Sequence, residues 1–199
     1  MPKKLLIAST NTGKIEELNT LFSIKDLDLC TLNDLSISIH VEETGKSYSE
    51  NACIKAHAYC QASGLPTLAD DTGLEVEALG GAPGLFSARF SPKPNATDAD
   101  RRALLLSKLH DFPQPWTARF VCAMALVLPD GRIFESFGDC PGTIIKAERG
   151  DHGFGYDRLF LCKEAHNTMA ELQLEEKNCI SHRAHAAQKM RPFIQLINT

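Results

Sequence analysis

The feature that most limits how this chain can fold is a run of nine apolar residues, Phe120–Leu128, with the sequence FVCAMALVL. The run is much shorter than the roughly 20 apolar residues that a membrane-crossing helix needs. It has the length of a strand that is covered on both faces in the middle of a sheet. Pro129-Asp130-Gly131 follows as a turn, and Ile133–Phe137 is predicted to return as the second strand of a hairpin.

Helices and strands are predicted to alternate before this run. Leu5–Ala8 has the pattern of a short buried strand, and Lys14–Phe22 has that of a helix with one apolar face. Ser47 and Glu50 form a capping-box pattern that begins a second helix, which is expected to end at Gly64. This order, followed by a hairpin, predicts an α/β fold with a mixed central sheet flanked by helices.

The remaining elements are predicted from shorter patterns. A brief strand, Thr67–Ala69, and an alternating strand, Leu74–Ala78, are expected on either side of the turn Asp70-Asp71-Thr72-Gly73. Further helices are predicted over Thr97–Leu109, at the capping-box pattern of Thr168 and Glu171, and after Ser181, where Pro192 should end or kink the helix. Because no repeat or linker divides the chain, residues 1–199 are predicted to form a single domain.

Composition excludes several classes of protein. With 43% hydrophobic and 23% charged residues, the chain is expected to be globular, not disordered or coiled-coil. Its net charge of −4 predicts no general attraction to nucleic acids or membranes. Seven scattered cysteines without a CxxC pair argue against a disulfide framework and against a thiolate zinc site. No signal peptide or membrane span is predicted, so we expect a soluble protein in the reducing cytoplasm.

The polar turn Ser9-Thr10-Asn11-Thr12-Gly13-Lys14 lies between the first predicted strand and helix. The N-terminus of a helix attracts anions, and Lys14 adds a positive charge. The turn does not have the glycine and Ser/Thr spacing of a P-loop. It therefore fits either phosphate binding or an ordinary capped helix.

Two acidic pairs are candidates for metal binding, namely Glu42-Glu43 in a loop and Asp70-Asp71 after a predicted strand. Carboxylates at the carboxyl end of a strand lie where open α/β sheets bind ligands. Hard oxygen ligands of this kind suit Mg²⁺. A solvent-exposed turn explains the sequence Asp-Asp-Thr-Gly equally well.

A third group of candidates lies in the C-terminal part of the chain. The glycines of Gly153-Phe154-Gly155-Tyr156-Asp157 would let a flat ligand approach, and Phe154 offers a ring for stacking on a base, although a β-bulge would also explain the glycines. Donors of Lys177, Ser181, His182 and Arg183 lie near a helix start. His182 and His185 fit an ordinary helix face, and two histidines without a third ligand make a poor metal site.

Several further motifs accompany these three groups, in the order Glu42-Glu43-Thr44-Gly45, Glu50-Asn51-Ala52, Lys55-Ala56, Ala69-Asp70-Asp71-Thr72-Gly73-Leu74, Gly80-Gly81-Ala82-Pro83-Gly84 and Ser87-Ala88-Arg89-Phe90. The complete set, from about Leu6 to the last helix, resembles the inosine/xanthosine triphosphate pyrophosphatase family. The resemblance implies a two-lobed α/β fold with a long nucleotide-binding cleft, and a homodimer. It also implies Mg²⁺-dependent hydrolysis of ITP, dITP and XTP to the monophosphate and pyrophosphate, which keeps such bases out of DNA and RNA.

The same resemblance suggests roles for individual residues. Phosphate contacts are expected from the turn Ser9–Lys14, from Lys55 and from Arg89. Glu42 and Asp71 are expected to bind the metal, with Asp71 also the general base and Glu43 and Asp70 in support. Residues expected to bind the base and the rest of the substrate are Thr72, Phe154, Gly155, Tyr156, Asp157, Lys177, His182 and Arg183.

Two other functions stay open on the sequence. A regulator that binds nucleotides without turnover would use the same site, although the acidic residues would then have no purpose. A related pyrophosphatase acting on a different modified nucleotide is the second alternative. For a pyrophosphatase of this kind, the expected partners are a small-molecule substrate and a second copy of the chain. Neither nucleic acid nor membrane is expected as a partner.

Overall fold

A computed structural model describes residues 3–198 of the chain and confirms an α/β fold with a mixed sheet and flanking helices. The strands in these residues are β1 (Lys3–Ile7), β2 (Leu27–Thr31), β3 (Thr67–Val76), β4 (Pro83–Gly84), β5 (Trp116–Val127), β6 (Ile133–Ile144) and β7 (Phe160–Cys162). The α-helices are α1 (Thr12–Leu21), α2 (Tyr48–Ser63), α3 (Asp98–Leu109), α4 (Leu174–Ile180) and α5 (His182–Gln195).

One sheet contains all of these strands, in the order β2-β1-β3-β5-β6-β7 with β4 beside β3. β1 is parallel to β2 and β3, whereas β6 is antiparallel to β7. The described residues divide into two compact units. Unit 1 comprises the described residues up to Asp71, Cys122–Gly138, and those from Arg183 onward, and unit 2 comprises Thr72–Val121 and Asp139–His182. The single two-lobed domain over residues 1–199 stays a prediction, and its residues 1, 2 and 199 lie outside the described residues.

Helices cover both faces of the sheet in unit 1. Leu5 and Ile7 of β1 pack on one face with apolar residues of α1 and α5. Leu6 and Ala8 pack on the opposite face with α2. Because successive side chains of a strand point to opposite faces, a strand covered in this way needs apolar residues at every position. The part of β5 in unit 1, from Cys122 to its end, is buried throughout for the same reason.

The hydrophobic core of unit 2 includes apolar residues from one face of α3. Leu105 and Leu109 of α3 pack with Trp116 and Phe120 of β5. In this part of β5 buried and exposed residues alternate, with Arg119 among the exposed ones. The sequence of β5 thus changes from alternating to continuously apolar where the strand passes from unit 2 to unit 1.

β3 runs without interruption over Thr67–Val76, so the prediction of two strands separated by an acidic turn is wrong. The strand pairs with β1 at Thr67 and Leu68 and with β4 at Leu74 and Glu75, and the turn-forming residues between these pairings continue the extended strand. β1 ends at Ile7, opposite Leu68. Asp70 and Asp71 therefore lie just beyond the carboxyl end of β1, within β3.

The helix predicted at Thr168 is also absent from this part of the described chain. The Thr168 N–H donates to the Glu171 carboxylate at 2.7 Å, but this bond closes a turn. Thr168 forms an isolated β-bridge with Leu161, which holds it in an extended conformation. The next helix, α4, begins later, at Leu174.

Pro192 does not end the last helix. α5 continues to Gln195, with Pro192 in its interior. Met190 and Ile194, on either side of the proline, are both fully buried in the same core. Packing on both sides holds the helical conformation despite the hydrogen bond that proline cannot donate.

The predicted boundaries of α2 and α3 are confirmed. Ser47 Oγ accepts the N–H of Glu50 at 3.2 Å, and α2 ends at Gly64, whose φ of 68° is the left-handed conformation that favours glycine. Thr97 and Asp100 form a reciprocal capping box at the start of α3. Both helices thus begin at their predicted caps, and α2 also ends at its predicted glycine.

The cysteines carry no disulfide, because all seven are free thiols. Five of them are buried, as expected of small apolar side chains. Within residues 3–198, no helix combines the length and the apolar character that a membrane crossing requires.

Candidate active site

The polar turn after β1 caps the N-terminus of α1. Asn11 Oδ1 accepts the N–H of Lys14 at 3.1 Å, and Ser9 Oγ accepts the N–H of Asn11 at 3.2 Å. Thr10, Asn11 and Thr12 are exposed, whereas Ser9, Gly13 and Lys14 are half-buried. The turn is therefore a capped helix start whose exposed side presents the end of a helix dipole that favours anions.

Two lysines from different helices converge on Asp70. Lys14 Nζ of α1 lies 3.2 Å from Asp70 Oδ2. Lys55 Nζ of α2 donates to the backbone oxygen of Asp70 at 2.7 Å and lies 2.6 Å from Glu43 Oε1. Two of the three cations predicted to contact phosphate are thus brought together at the carboxyl end of β1.

Arg183 completes this group from the start of α5. Its Nε and Nη2 each donate to Asp70 Oδ2 at 3.1 Å, and its Nη1 forms an ion pair with Glu17. Arg183 is 0% exposed, and both carboxylates are almost fully buried. We call Lys14, Glu17, Lys55, Asp70 and Arg183 the Asp70 cluster, and all of it lies in unit 1.

The charges of the Asp70 cluster are unequally matched. Burial opposes ionisation of Asp70, but Lys14 and Arg183 outweigh it and hold the pKa of Asp70 well below its usual range. Burial lowers the pKa of Lys14, and the attraction of Asp70 does not fully offset it because Lys55 and Arg183 repel the ammonium. Asp70 therefore stays ionised, and Lys14 shares its carboxylate with Arg183.

Asp71, the next residue in β3, is held by α2. Asn51 Nδ2 donates to Asp71 Oδ2 at 3.0 Å, and Asn51 Oδ1 accepts the N–H of Gly45 at 2.8 Å. A Cβ on Gly45 would meet Asn51 Oδ1 at 2.7 Å, so this close approach requires glycine. Burial raises the pKa of Asp71 against the attraction of Lys55.

The loop before α2 carries the second acidic pair. Glu43 is half-buried and paired with Lys55, whereas Glu42 is exposed. The Gly45–Asn51 bond connects this loop to the side chain that holds Asp71. Both acidic pairs thus belong to unit 1 and are linked through α2.

The donors of unit 1 fit a hard divalent cation. Asp71, Glu42 and Glu43 offer only oxygen atoms, and Asp70 Oδ1 is buried yet accepts no hydrogen bond from residues 3–198. Among those residues, no three His, Cys, Asp or Glu side chains gather as a metal site. Mg²⁺ needs only one or two carboxylates when phosphates and waters complete its coordination.

A second polar cluster lies in unit 2, on the turn before β7. Asp157 Oδ2 accepts Lys177 Nζ at 2.6 Å and the N–H of Phe154 at 3.0 Å. Lys177 Nζ also lies 5.1 Å from the centroid of the half-buried Phe154 ring, and Lys177 and Asp157 are both buried. We call Phe154, Asp157 and Lys177 the Asp157 cluster. It places a cation and an aromatic face side by side.

The glycines of this turn have a conformational reason, and the β-bulge alternative is wrong because the segment lies outside the strands. Gly153 has a φ of 71°, and a Cβ there would lie 2.1 Å from Asp157 Oδ2. Gly155 has a φ of 60°. The glycines therefore form a tight left-handed turn around the Asp157 carboxylate.

The other candidates of unit 2 come from three separate segments of the chain. Tyr156 is buried and its hydroxyl donates to the backbone oxygen of Ser87 at 2.9 Å. Arg89 is exposed, with its guanidinium 5.6 Å from the centroid of the Phe86 ring. Thr72 is half-buried in β3.

His182 and Arg183 are neighbours in sequence but belong to different units. His182 is buried, and its ring stacks on Phe120 at a centroid distance of 4.8 Å. Arg183 belongs to the Asp70 cluster, whereas Lys177 belongs to the Asp157 cluster. The predicted donors Lys177 and Arg183 thus pair with different carboxylates, Asp157 and Asp70.

No role was predicted from the sequence for Glu17 or Asn51. Glu17 lies three residues after Lys14, so the two side chains share a face of α1. Asn51 lies four residues before Lys55 and shares a face of α2 with it. A charged or amide residue at helical spacing from a candidate lysine was the available signal.

Comparison with known proteins shows one family that is similar to nearly the whole chain. The model of the Ham1 family matches residues 5–193. The chain is 44% identical over 187 residues to the dITP/XTP pyrophosphatase of Desulforamulus reducens, covering 94% of this chain and 92% of that protein. It is also 44% identical over 192 residues to the dITP/XTP pyrophosphatase of Geobacter sulfurreducens, covering 96% of each.

Solved structures agree with this match. The Staphylococcus aureus Ham1 protein aligns with a TM-score of 0.85 at 37% identity, covering 97% of this chain and 98% of that one. A HAM1 protein from Coxiella burnetii aligns with a TM-score of 0.86 at 36% identity, with the same coverage.

Proposed function

Because the chain belongs to the Ham1 family, we propose that it hydrolyses the deaminated purine nucleotides ITP, dITP and XTP to the monophosphate and pyrophosphate. Its similarity to dITP/XTP pyrophosphatases over nearly its full length supports this substrate class. The product is a monophosphate, which a polymerase cannot incorporate. The enzyme thereby keeps deaminated bases out of DNA and RNA.

The observation that carries this proposal is the convergence of Lys14, Lys55 and Asp71 at the carboxyl end of β1. The lysines come from α1 and α2 and meet at Asp70, and Asp71 is the next residue. Hydrolysis of a phosphoanhydride needs charge neutralisation on the phosphates and an oriented water. Cations beside a buried carboxylate supply both requirements in one place.

The triphosphate is bound by unit 1. The backbone and hydroxyl groups of Ser9–Gly13 donate to phosphate oxygens at the start of α1. Lys14 and Lys55 neutralise their charge. Lys14 gains most from this, because a phosphate gives it a second anion beside the Asp70 oxygen that it shares with Arg183. Arg89 is the remaining candidate for a phosphate contact.

Asp71 and Glu42 hold the divalent metal, which we propose is Mg²⁺, with Glu43 and Asp70 in support. When bound, Mg²⁺ neutralises phosphate charge and polarises the attacking water. The Asp71 carboxylate, oriented by Asn51, accepts a proton from that water. The water oxygen adds to the α-phosphorus as the α–β anhydride bond breaks, and pyrophosphate leaves.

The base is bound by the Asp157 cluster and its neighbours Thr72, Gly155 and Tyr156. Phe154 stacks on the purine, and donors of Lys177 and His182 complement its 6-keto oxygen, whereas the guanidinium of Arg183 is committed to Glu17 and Asp70. Adenine presents an amino donor at that position. A buried donor left without an acceptor costs on the order of 1–3 kcal/mol, which favours hypoxanthine and xanthine over adenine.

The test is a substrate panel with identification of products. ITP, dITP, XTP, GTP and ATP are incubated with the wild type and with Asp71→Asn, with and without Mg²⁺. We expect the wild type to release pyrophosphate from the first three substrates only when Mg²⁺ is present. Asp71→Asn should stay folded and lose most of its kcat, because proton acceptance and metal affinity both depend on the carboxylate.

Asp28→Asn is the matched control, since Asp28 is exposed on β2 of the same unit. Its kcat should equal that of the wild type. A folded Asp71→Asn enzyme with near-normal kcat would overturn the role of Asp71. Release of orthophosphate instead of pyrophosphate would overturn the reaction itself.

The same panel decides between the alternatives. A nucleotide-binding regulator would bind ITP without releasing pyrophosphate. An enzyme for another modified nucleotide would turn over ITP and XTP no faster than ATP. We further propose that the enzyme is a homodimer in the cytoplasm, where the nucleotide pool lies, and sedimentation of the purified protein tests its oligomeric state.

A further inference from the structure

The N-terminal half of α3 holds the turn that carries Phe154. Asp98 Oδ2 accepts the N–H of Gly155 at 2.7 Å. Arg102 Nη1 donates to the backbone oxygen of the same glycine at 2.8 Å. Both polar backbone groups of Gly155 are thus bound by side chains one helical turn apart on α3.

The guanidinium of Arg102 is fixed by a second partner. Its Nε and Nη2 donate to Glu148 Oε1 and Oε2 at 2.8 and 3.1 Å, a bidentate pair that sets the plane of the group. This orientation directs Nη1 to Gly155. Arg102 is only 8% exposed, so water has little access to its guanidinium, although its partner Glu148 is exposed. A lysine could not form the same three bonds, because its ammonium is a point charge.

The two bonds to Gly155 fix a turn that belongs to no helix or strand. Residues 153–157 lie outside the strands and helices, and Gly155 is in the left-handed conformation. Phe154, the residue before Gly155, places its ring beside Lys177 Nζ, and its N–H donates to Asp157. The direction of the Phe154 ring therefore depends on how the following residue is held.

We propose that Asp98 and Arg102 are positioning residues for base recognition, which act by fixing the turn that orients Phe154 beside Lys177. The inference rests on the proposed role of the Asp157 cluster in binding the purine. Neither residue needs to touch the nucleotide. Their effect is exerted through both backbone bonds of Gly155.

The test measures kcat and KM for ITP and ATP in Arg102→Met and Arg102→Lys. We expect kcat/KM for ITP to fall about tenfold in each, which is the size expected for loss of a hydrogen bond to a charged group. The loss should lie mainly in KM, and the value for ATP should change little. A purely structural role would instead lower the values for both substrates together.

Lys108→Met serves as the control, since Lys108 is exposed on the same helix. It should leave both substrates unaffected. The double variant Arg102→Met/Phe154→Ala should lose no more ITP preference than Phe154→Ala alone, because both changes act through one ring. Additive losses would show that Arg102 acts elsewhere and would overturn the inference.

Phe154→Ala and Lys177→Met separate this inference from the proposed function. If these two variants reduce the preference for ITP over ATP and both Arg102 variants do not, the positioning role is wrong and base binding by the cluster stands. If neither reference variant changes the preference, the assignment of the cluster to the base fails, and the inference fails with it.

Discussion

At the scale of single residues, Arg183 places a fully buried positive charge in unit 1. Its guanidinium is fully buried and paired with Glu17 and Asp70. A buried pair is costly to form, because both charges lose their hydration. Removing one member is more costly, since it leaves the other charge buried without its partner.

Glu17→Gln should therefore lower the free energy of unfolding by about 3 kcal/mol. The neutral amide keeps the size of the side chain but removes half of the negative charge that faces Arg183. Urea unfolding at neutral pH measures the change. Glu16→Gln is the matched control because Glu16 is the exposed neighbour on the same helix, and its effect should stay within about 0.5 kcal/mol. Equal effects of the two substitutions would contradict the assignment of a buried ion pair to Glu17.

At the scale of elements, the start of α3 combines helix capping with a tertiary contact. Thr97 and Asp100 cap the helix, while Asp98 pairs with Arg101 and accepts the N–H of Gly155. Burial opposes ionisation of Asp98, but the bonds from Arg101 and Gly155 outweigh it and lower its pKa. The folded state therefore favours the ionised form of this carboxyl.

The sign of the pH dependence follows from that lowered pKa. Stability contributed by Asp98 is fully present above the ordinary aspartate pKa of about 3.9 and is lost as the pH falls through the lower pKa of the folded state. Asp98→Asn should thus be less stable than the wild type at pH 7, and the difference should shrink between pH 4 and pH 2. Urea unfolding of both proteins across this range measures it.

Asp111→Asn is the control for this experiment, because Asp111 is an exposed carboxylate just after the same helix. Its stability should follow that of the wild type at each pH. If the difference between wild type and Asp98→Asn stayed constant down to pH 2, Asp98 would not be a carboxyl that the fold keeps ionised.

At the scale of the whole molecule, the reactivity of the cysteine thiols measures how far solvent reaches into the core. Cys179 is exposed and Cys53 half-buried, and the other five are buried. Burial raises the pKa of Cys122 to about 12, so almost no thiolate forms there at neutral pH. Burial and Glu135 likewise raise the pKa of Cys53.

The native protein should therefore show one fast-reacting thiol with a disulfide reagent at pH 8, and all seven after unfolding without a reductant. Cys179→Ser should remove the fast phase and leave six thiols in denaturant. Two fast thiols in the wild type would mean that Cys53 or one of the five buried cysteines is accessible to the reagent. Fewer than seven in denaturant would mean that a disulfide exists.

Much of the fold could be predicted because its signals are local. The continuous apolar pattern of β1 and of the second half of β5 predicts strands covered on both faces, and unit 1 has helices on both faces of those strands. Ser47, Gly64 and Thr97 mark helix ends because capping bonds involve neighbours in sequence. At Thr168 the same local signal was wrong, since a bridge to Leu161 overrides the cap.

The sequence by itself determined the α/β class, the helix boundaries set by caps, and the order of motifs that indicates the family. Only the tertiary structure decided that Asp70 and Asp71 lie inside a strand, that Glu17 is buried, and that Arg183 pairs with Glu17 and Asp70. The physical reason is range. Caps and periodicity act over a few residues, whereas the Glu17–Arg183 pair spans 166 residues and exists only because α1, β3 and α5 come together in unit 1.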